Sequence, residues 1–298
     1  MLKHLIEVIN KRFEQFGTPL VIDKNIIPID KTTNFVCSGM QQVKDRFGRG
    51  GRYCSLQSCI RTNDIDLVGD GIHLTYFEML GSFSFGGYEY EKFVDLYDSI
   101  IHDLQIEVSY VTYHPTRLDH RKLWDTRGYV TRPSEDCLWS DGIIGGNCCE
   151  LFVGDLEIGN LVNPLDSCVD VGFGFERILQ VLEKKSRVDE TSLFNCNECP
   201  LVRDHLRTLK SFKENGINPG PKGREFMCRR IIRRILNLTD NKEFPYWFES
   251  ERRLQEEKLK NLKKHYKKFK DRDEKFWYDT FGVTPEDLIS YKNNQISS

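Results

Sequence analysis

The sequence predicts an α+β protein: a mainly antiparallel sheet with helices between its strands over residues 1–185, then a helical module over 186–298. Three observations predict it. From Asn34 to Val171 the chain runs in short segments punctuated by Gly50-Gly51, Gly69-Asp70-Gly71, Gly86-Gly87 and Gly145-Gly146-Asn147, a pattern of strands and turns. Beyond Phe175 the pattern is helical, with Gly216–Gly223 (GINPGPKG) as the main breaker. Charge divides with the pattern. Residues 186–298 carry 24 Lys and Arg against 18 Asp and Glu, a net of +6, whereas 1–185 carries −8. A basic module on an acidic body suits contact with a polyanion, and equally a solvated Lys-rich surface.

With 298 residues, 39% apolar and 30% charged, the chain can bury a core, which excludes disordered, collagenous and low-complexity classes. No run of about 18 apolar residues is present, so no membrane span is expected. The N-terminal MLKHLIEVINKRFEQF is charged throughout and does not read as a signal peptide, which points to a cytoplasmic protein. Ten cysteines at irregular spacing then read as free thiols. The single CxxC, Cys196–Cys199, has no second pair at zinc-finger spacing, so no zinc site is expected.

The elements follow in order. Leu5, Val8, Ile9, Phe13 and Phe16 mark one face of a helix over Leu2–Phe16. Gln57–Arg61 and His73–Gly86 are extended runs around a Gly-containing loop, a hairpin in which His73, Thr75 and Phe77 would share one face. There Arg61 and an aromatic ring can clamp a phosphate and stack a base, or form a structural cross-strand pair. Phe93, Leu96, Tyr97, Ile100, Ile101 and Leu104 define a helix over Tyr90–Leu104. Trp139, Cys149–Phe152 and Glu157–Asn160 read as inner strands whose polar residues need a partner or a ligand. Val169–Gly174 leads into a helix that begins near Glu176. Gly172 and Gly174 let a ligand lie on the backbone, and Arg177 in the first turn can reach a polyphosphate. In the basic module, Ile231, Ile232, Ile235 and Leu236 gather on one side of a helix flanked by Arg229, Arg230, Arg233 and Arg234. Those arginines would meet phosphates, or pair with Glu225 or Asp240. No GxxxxGK[ST] is present, which excludes a P-loop ATPase.

Taken together, these residues resemble the class II aminoacyl-tRNA synthetases, and among them the alanyl-tRNA synthetases. CIR…FEMLGSFSFG (Cys59–Gly86) is similar to that family's motif 2 and VDVGFGFERI (Val169–Ile178) to its motif 3. Val36–Lys44 resembles its N-terminal region, with Pro28 near the motif 1 position. Arg203–Arg207, Gly223–Arg234 and Tyr278–Gly282 resemble its helical tRNA-recognition domain. The resemblance implies a class II antiparallel sheet flanked by helices, activation of alanine by ATP with Mg²⁺, and transfer to the 3′ end of tRNA(Ala). It implies that Arg61 holds the α-phosphate, Phe77 stacks on adenine with His73 beside it, Gly172 and Gly174 floor the ATP site, Arg177 holds the terminal phosphates and Glu157 helps bind Mg²⁺. Asp170 would pair with the substrate ammonium, with Asn160 and Trp139 lining the amino-acid pocket and Met40 nearby. The four arginines and Asp287 would contact the tRNA acceptor stem.

The chain departs from the family at named places. The loop between Arg61 and His73 is about four residues shorter than the family pattern and lacks a lysine. Gly159 replaces a Trp beside the pocket, which implies an enlarged site, and Val171 replaces a Thr. Pro221 stands where the family reads a G·U pair with an Asn, whereas Asp287 keeps the matching Asp. The editing and oligomerisation domains of the family have no counterpart here, so a monomer without editing is expected. Three functions follow: a minimal alanyl-tRNA synthetase, a paralogue that delivers a small amino acid to a carrier protein, peptide or small molecule, and an RNA-binding pseudo-synthetase. Arg61, Phe77, Asp170 and Arg177 argue against the last.

Overall fold

The computed structural model describes residues 1–87, 89–140, 142–194, 197–239 and 242–296 and divides the chain into two compact units, Met1–Asn218 and Pro219–Ser298. The first unit contains α1 (Leu2–Gln15), β1 (Leu20–Asp23), β2 (Arg52–Ile60), β3 (Tyr76–Ser84), α2 (Tyr90–Asp103), β4 (Tyr110–Tyr113) and α3 (Leu118–Asp125). It continues with β5 (Thr131–Pro133), β6 (Leu138–Ser140), β7 (Gly145–Val153), β8 (Leu156–Val162), β9 (Val169–Gly174), α4 (Phe175–Leu182) and α5 (Pro200–Glu214). The sheet order is β1-β2-β3-β9-β8-β7-β4-β5, with β6 paired to β7. Its centre is antiparallel, as predicted, and its edge pairs β1/β2 and β4/β5 are parallel.

The helix periodicities translate directly into packing. Leu5, Val8, Ile9 and Phe13 of α1 and Phe93, Leu96, Tyr97, Ile100 and Ile101 of α2 are buried in one core with Leu80, Leu161, Val171 and Phe173 of the sheet. Thr75 and His73 differ from the expected strand face. The strand begins only at Tyr76, because the Thr75 N–H is taken by the Asp204 carboxylate at 2.8 Å and the backbone turns there.

The division between the two compact units falls after α5, at Asn218/Pro219. Polar groups tie α5 to the residue before β3 and to α4: the Asp204 carboxylate accepts the Thr75 N–H, and Arg207 pairs with Glu176 at 2.8 Å. Such buried pairs leave no mark on a charge profile. The second unit contains α6 (Gly223–Ile235), α7 (Pro245–Phe269), α8 (Glu274–Phe281) and α9 (Pro285–Ile296). Ile231, Ile232 and Ile235 are fully buried on the apolar side of α6, and Leu262, Trp277, Val283 and Leu288 form a separate cluster. Asp273 caps α8 by accepting the Phe276 N–H at 2.8 Å, and Gly282 at φ 65° ends it in the left-handed region that favours glycine. Among the described residues no helix is long and apolar enough to cross a membrane.

Glu89 joins α2 to the sheet. It pairs with Arg52 of β2 and accepts from Ser84 Oγ at 3.1 Å and Lys92 Nζ at 2.9 Å. The Arg52 guanidinium holds its carboxyl at about 2. A depressed folded-state pKa contributes stability above the ordinary carboxylate range, and that contribution is lost as the pH falls through the folded value. Glu89→Gln should therefore be less stable than the parent at neutral pH, with the gap closing as pH falls toward about 2. Urea melts across that range check it; a gap independent of pH would contradict the assignment.

Candidate active site

Directly opposed residues in antiparallel strands share a face. One such row reads Thr112 (β4), Glu150 (β7), Asn160 (β8), Gly172 (β9) and Gly81 (β3). The next residue along each strand belongs to the helix-covered core: Cys149, Leu161, Val171 and Leu80. The sheet therefore shows one apolar face to the helices and, on the other, a row that is polar at one side and bare glycine at the other. A cavity of about 390 Å³ opens on this second face.

Around the β3 and β9 side it is lined by Arg61, His73, Phe77, Gly172, Gly174 and Arg177. Arg61 follows β2, its Nε donating to the Cys37 carbonyl at 3.1 Å and its guanidinium lying 4.9 Å from the Phe77 ring centroid. His73 is oriented by Asp70, with Nδ1 2.5 Å from Oδ2 and its backbone N–H on Oδ1 at 2.9 Å. The loop that carries Asp70 is pinned in turn. Arg187 Nη2 donates to the Gly69 carbonyl at 2.8 Å, and the Val188 N–H to Gly71 at 2.9 Å. Arg177, in the first turn of α4, donates to the Glu157 carbonyl at 2.8 Å and lies 3.3 Å from its carboxylate. A side chain on Gly172 would press on Met79 Sδ at 3.0 Å, and one on Gly174 on Arg177 at 3.2 Å. Both positions thus keep the floor bare.

Beneath this wall, the Glu176 carboxylate is almost fully buried. It accepts the Glu78 N–H at 3.0 Å and pairs with Arg207. Burial pushes its pKa up, and Arg207 opposes that shift.

Toward β8, β7 and β6 the cavity is lined by Asn160, Glu157, Glu150 and Trp139. Burial, and then the neighbouring Glu157, pushes the Glu150 carboxyl upward. Two expected pocket residues are not among those that line the cavity. Met40 is buried in a cluster with Val43, Phe83 and Phe85, against which Trp139 packs, so it backs the wall and does not line it. Asp170 shares the face of Gly172, but it is 9% exposed and lies outside the lining residues.

Gly159 also corrects an expectation. A Cβ there would sit 2.3 Å from Phe173 Cγ, so the space a larger side chain would fill is occupied by that ring, and the glycine does not widen the cavity. Phe173 is 2% exposed and stacked on Tyr97 at 4.5 Å. Gly159→Ala should therefore destabilise the fold by about 1–3 kcal/mol through overpacking. Thermal melting reads the loss; an unchanged midpoint would show that the ring yields.

In the second unit, Arg229 donates to the buried Glu251 at 2.7 Å, and Arg233 lies 3.9 Å from the same carboxylate and 5.3 Å from the Phe226 ring centroid. Arg229 and Arg233 thus both face Glu251, and Asp240 lies outside the described residues. Arg230 and Arg234 are half-buried on the same helix. Asp287 accepts from Lys258 Nζ at 3.1 Å and from the Thr284 N–H at 2.9 Å, which holds its carboxyl below the usual range despite burial. A groove joins Pro221, Arg229, Arg233, Lys258 and Asn261. Of the CxxC, Cys196 lies outside the described residues and Cys199 is exposed.

Sequence reasoning gave no role to Met79 or Arg187, and it held Glu150 only as the polar residue of the Cys149–Phe152 strand that needs a partner or a ligand. Met79 and Arg187 carried no signal, since one reads as core and the other as surface charge.

Residues 11–160 match the family described as tRNA synthetases class II (A). The alanine–tRNA ligase of Wolinella succinogenes is 31% identical over 285 aligned residues, covering 71% of this chain and 33% of that protein. Those of Prochlorococcus marinus (strain NATL1A) and Schizosaccharomyces pombe are 28% and 29% identical, each covering 75% of this chain and 33% of the relative. Among solved structures, the pyrrolysyl-tRNA synthetase of Desulfitobacterium hafniense aligns with a TM-score of 0.44 at 16% identity, covering 64% of this chain and 73% of that one. The chain spans about a third of the length of the curated relatives it matches. The family match takes in half of the chain, from α1 through the hairpin to the Asn160 strand, and the chain belongs to the class II (A) tRNA synthetases.

Proposed function

We propose that the cavity joins a small amino acid, alanine first, to AMP from ATP, and that the aminoacyl group then passes to the 3′ end of tRNA(Ala). The observation that carries this reading is the grouping in one cavity of two guanidinium groups, Arg61 and Arg177, with Phe77 and a bare glycine strand. An amino-acid carboxylate is already ionised at neutral pH, so no general base is required. Its oxygen attacks the α-phosphorus, the bond to the bridging oxygen breaks, and pyrophosphate leaves. Catalysis is then positioning and charge stabilisation. Arg61 meets the charge growing on the α-phosphate, and Phe77 offers a ring face to adenine, with His73 held beside it by Asp70. Arg177 meets the terminal phosphates, while Asn160 and Trp139 bound the amino acid and Asp170 biases the wall toward its ammonium. The carboxylate oxygens of Glu157 suit Mg²⁺, which would supply charge neutralisation between phosphates when bound.

The supporting relatives are named as alanine–tRNA ligases, and the RRIIRR helix suits an RNA acceptor. One observation favours the second reading, a non-tRNA acceptor: Arg229 and Asp287 are engaged by Glu251 and Lys258, and Pro221 has no side-chain donor.

Pyrophosphate exchange with each amino acid, then charging of total tRNA, tests both steps. Exchange with alanine and no charging would move the acceptor away from tRNA; no exchange with any amino acid would contradict the reading. For a tRNA acceptor, log affinity falls linearly with log salt. The slope shrinks by about one unit for each phosphate-contacting arginine removed, read with alanine variants of Arg229, Arg230, Arg233 and Arg234 in turn. A salt-independent affinity would exclude RNA.

A further inference from the structure

The pocket wall at Trp139 contains a group of side chains that adenylate chemistry does not use. Cys137 lies just before β6 and Cys148 on β7, and the Cys148 N–H donates to the Cys137 carbonyl at 3.0 Å, so the two residues face each other where these strands begin to pair. Both are buried, at 0% and 2% exposure. Glu150, two residues along β7, projects on the same face as Cys148. Among the described residues, the Sγ atoms of Cys137 and Cys148 and a carboxylate oxygen of Glu150 all lie within 4.8 Å of one another. Thr112 Oγ1 joins them, 3.1 Å from Cys137 Sγ and 3.3 Å from Glu150 Oε2.

We propose that Cys137, Cys148 and Glu150 form a binding site for a soft divalent cation of the zinc class, set behind the Trp139 wall of the cavity. Two sulfurs and one oxygen select against Mg²⁺ and Ca²⁺, which take oxygen ligands, and suit a tetrahedral zinc-like ion. Binding releases the proton of each thiol to solvent and forms two sulfur–metal bonds and one oxygen–metal bond. Three protein ligands leave a fourth position for an exchangeable ligand. The three ligands come from two adjoining strands with small separation, so modest closure of the cluster brings them to bonding distance. The consequence is local. Trp139 packs against Cys137, Cys148 and Val162 and also lines the cavity, as does Glu150, so the ion fixes both side chains. The site does not depend on the reaction proposed above, because occupancy is read from the metal itself.

The test uses the full chain, purified under reducing conditions and loaded with Co²⁺ as the probe. The expected result is one cobalt per chain by elemental analysis, with a thiolate-to-cobalt charge-transfer band in the near ultraviolet and the strong visible bands of tetrahedral cobalt. Cys137→Ser and Cys148→Ser each abolish the charge-transfer band, and Glu150→Gln weakens binding. Cys199→Ser, at the exposed cysteine of the CxxC, leaves the band intact. A second readout needs no variant: a chelator lowers the melting temperature of the metal-loaded parent and leaves that of the metal-free parent unchanged. Absence of the band with both thiols reactive in the unfolded chain would overturn the site. So would a Cys137–Cys148 disulfide in the metal-free protein kept under reductant, or a band that disappears with Cys199→Ser instead.

Discussion

Arg61→Ala is expected to lower pyrophosphate exchange by about 10²–10³-fold, the usual loss when one preorganised donor to developing charge is removed. The guanidinium is held before any substrate arrives. Its Nε is fixed on the Cys37 carbonyl and its plane lies over Phe77, so little reorganisation accompanies the reaction. A donor placed for the growing charge acts in the transition state more than in the ground state, so kcat should fall with little change in the KM for the amino acid. Arg61→Lys should recover only part of the rate, because an ammonium lacks the planar fork that meets two phosphate oxygens. A loss confined to KM would place Arg61 in ground-state binding and contradict the role assigned to it.

Arg207→Met carries the largest expected loss of stability, about 3–5 kcal/mol, because it leaves the buried Glu176 carboxylate without its cation. Arg207 pairs with Glu176 at 2.8 Å and spreads over the rings of Tyr76 and Phe194 at 5.0 and 4.5 Å. Methionine replaces much of that packing, so the charge is what is lost. Glu176 also accepts the Glu78 N–H and lines the cavity beside Arg177, so the same variant loosens that wall of the cavity. The folded-state pKa of Glu176 lies above its unfolded value, which makes the fold less stable as pH rises past the ordinary carboxylate range. Removing Arg207 widens that gap, so the deficit should narrow as the pH is lowered toward that range. Chemical melts of the parent, Arg207→Met and the double variant Arg207→Met/Glu176→Gln check it. The double variant should regain part of the loss, and additive losses would contradict the pairing.

What could be seen in the sequence was what is local. α1 and α2 announce themselves by apolar spacing, and the β2–β3 hairpin and the β9–α4 junction by glycines and alternation, because each depends on neighbours a few residues away. Arg61, Phe77, Gly172, Gly174 and Arg177 belong to these elements, and the structure brings all five to one cavity. Features set by strand register were not visible. Gly159 reads as a gap in the pocket until register places it opposite Phe173. Met40 reads as a pocket residue until the turn Gly39–Gln42 carries it behind Trp139. Arg229 reads as surface charge until α7 brings Glu251, with no periodicity to mark it, against α6. Cys137 and Cys148 meet only because β6 folds back on β7, so their separation in sequence resembles no metal motif.

The most direct test of the central claim, that this cavity holds an aminoacyl-adenylate, is a crystal structure of the full chain with a non-hydrolysable alanyl-adenylate analogue. The account predicts adenine against Phe77, the phosphate mimic at Arg61, the ribose over Gly172 and Gly174, and the alanyl group toward Asn160 and Trp139. An analogue bound away from Phe77 and Arg61, or a cavity left empty at saturating analogue, would contradict it.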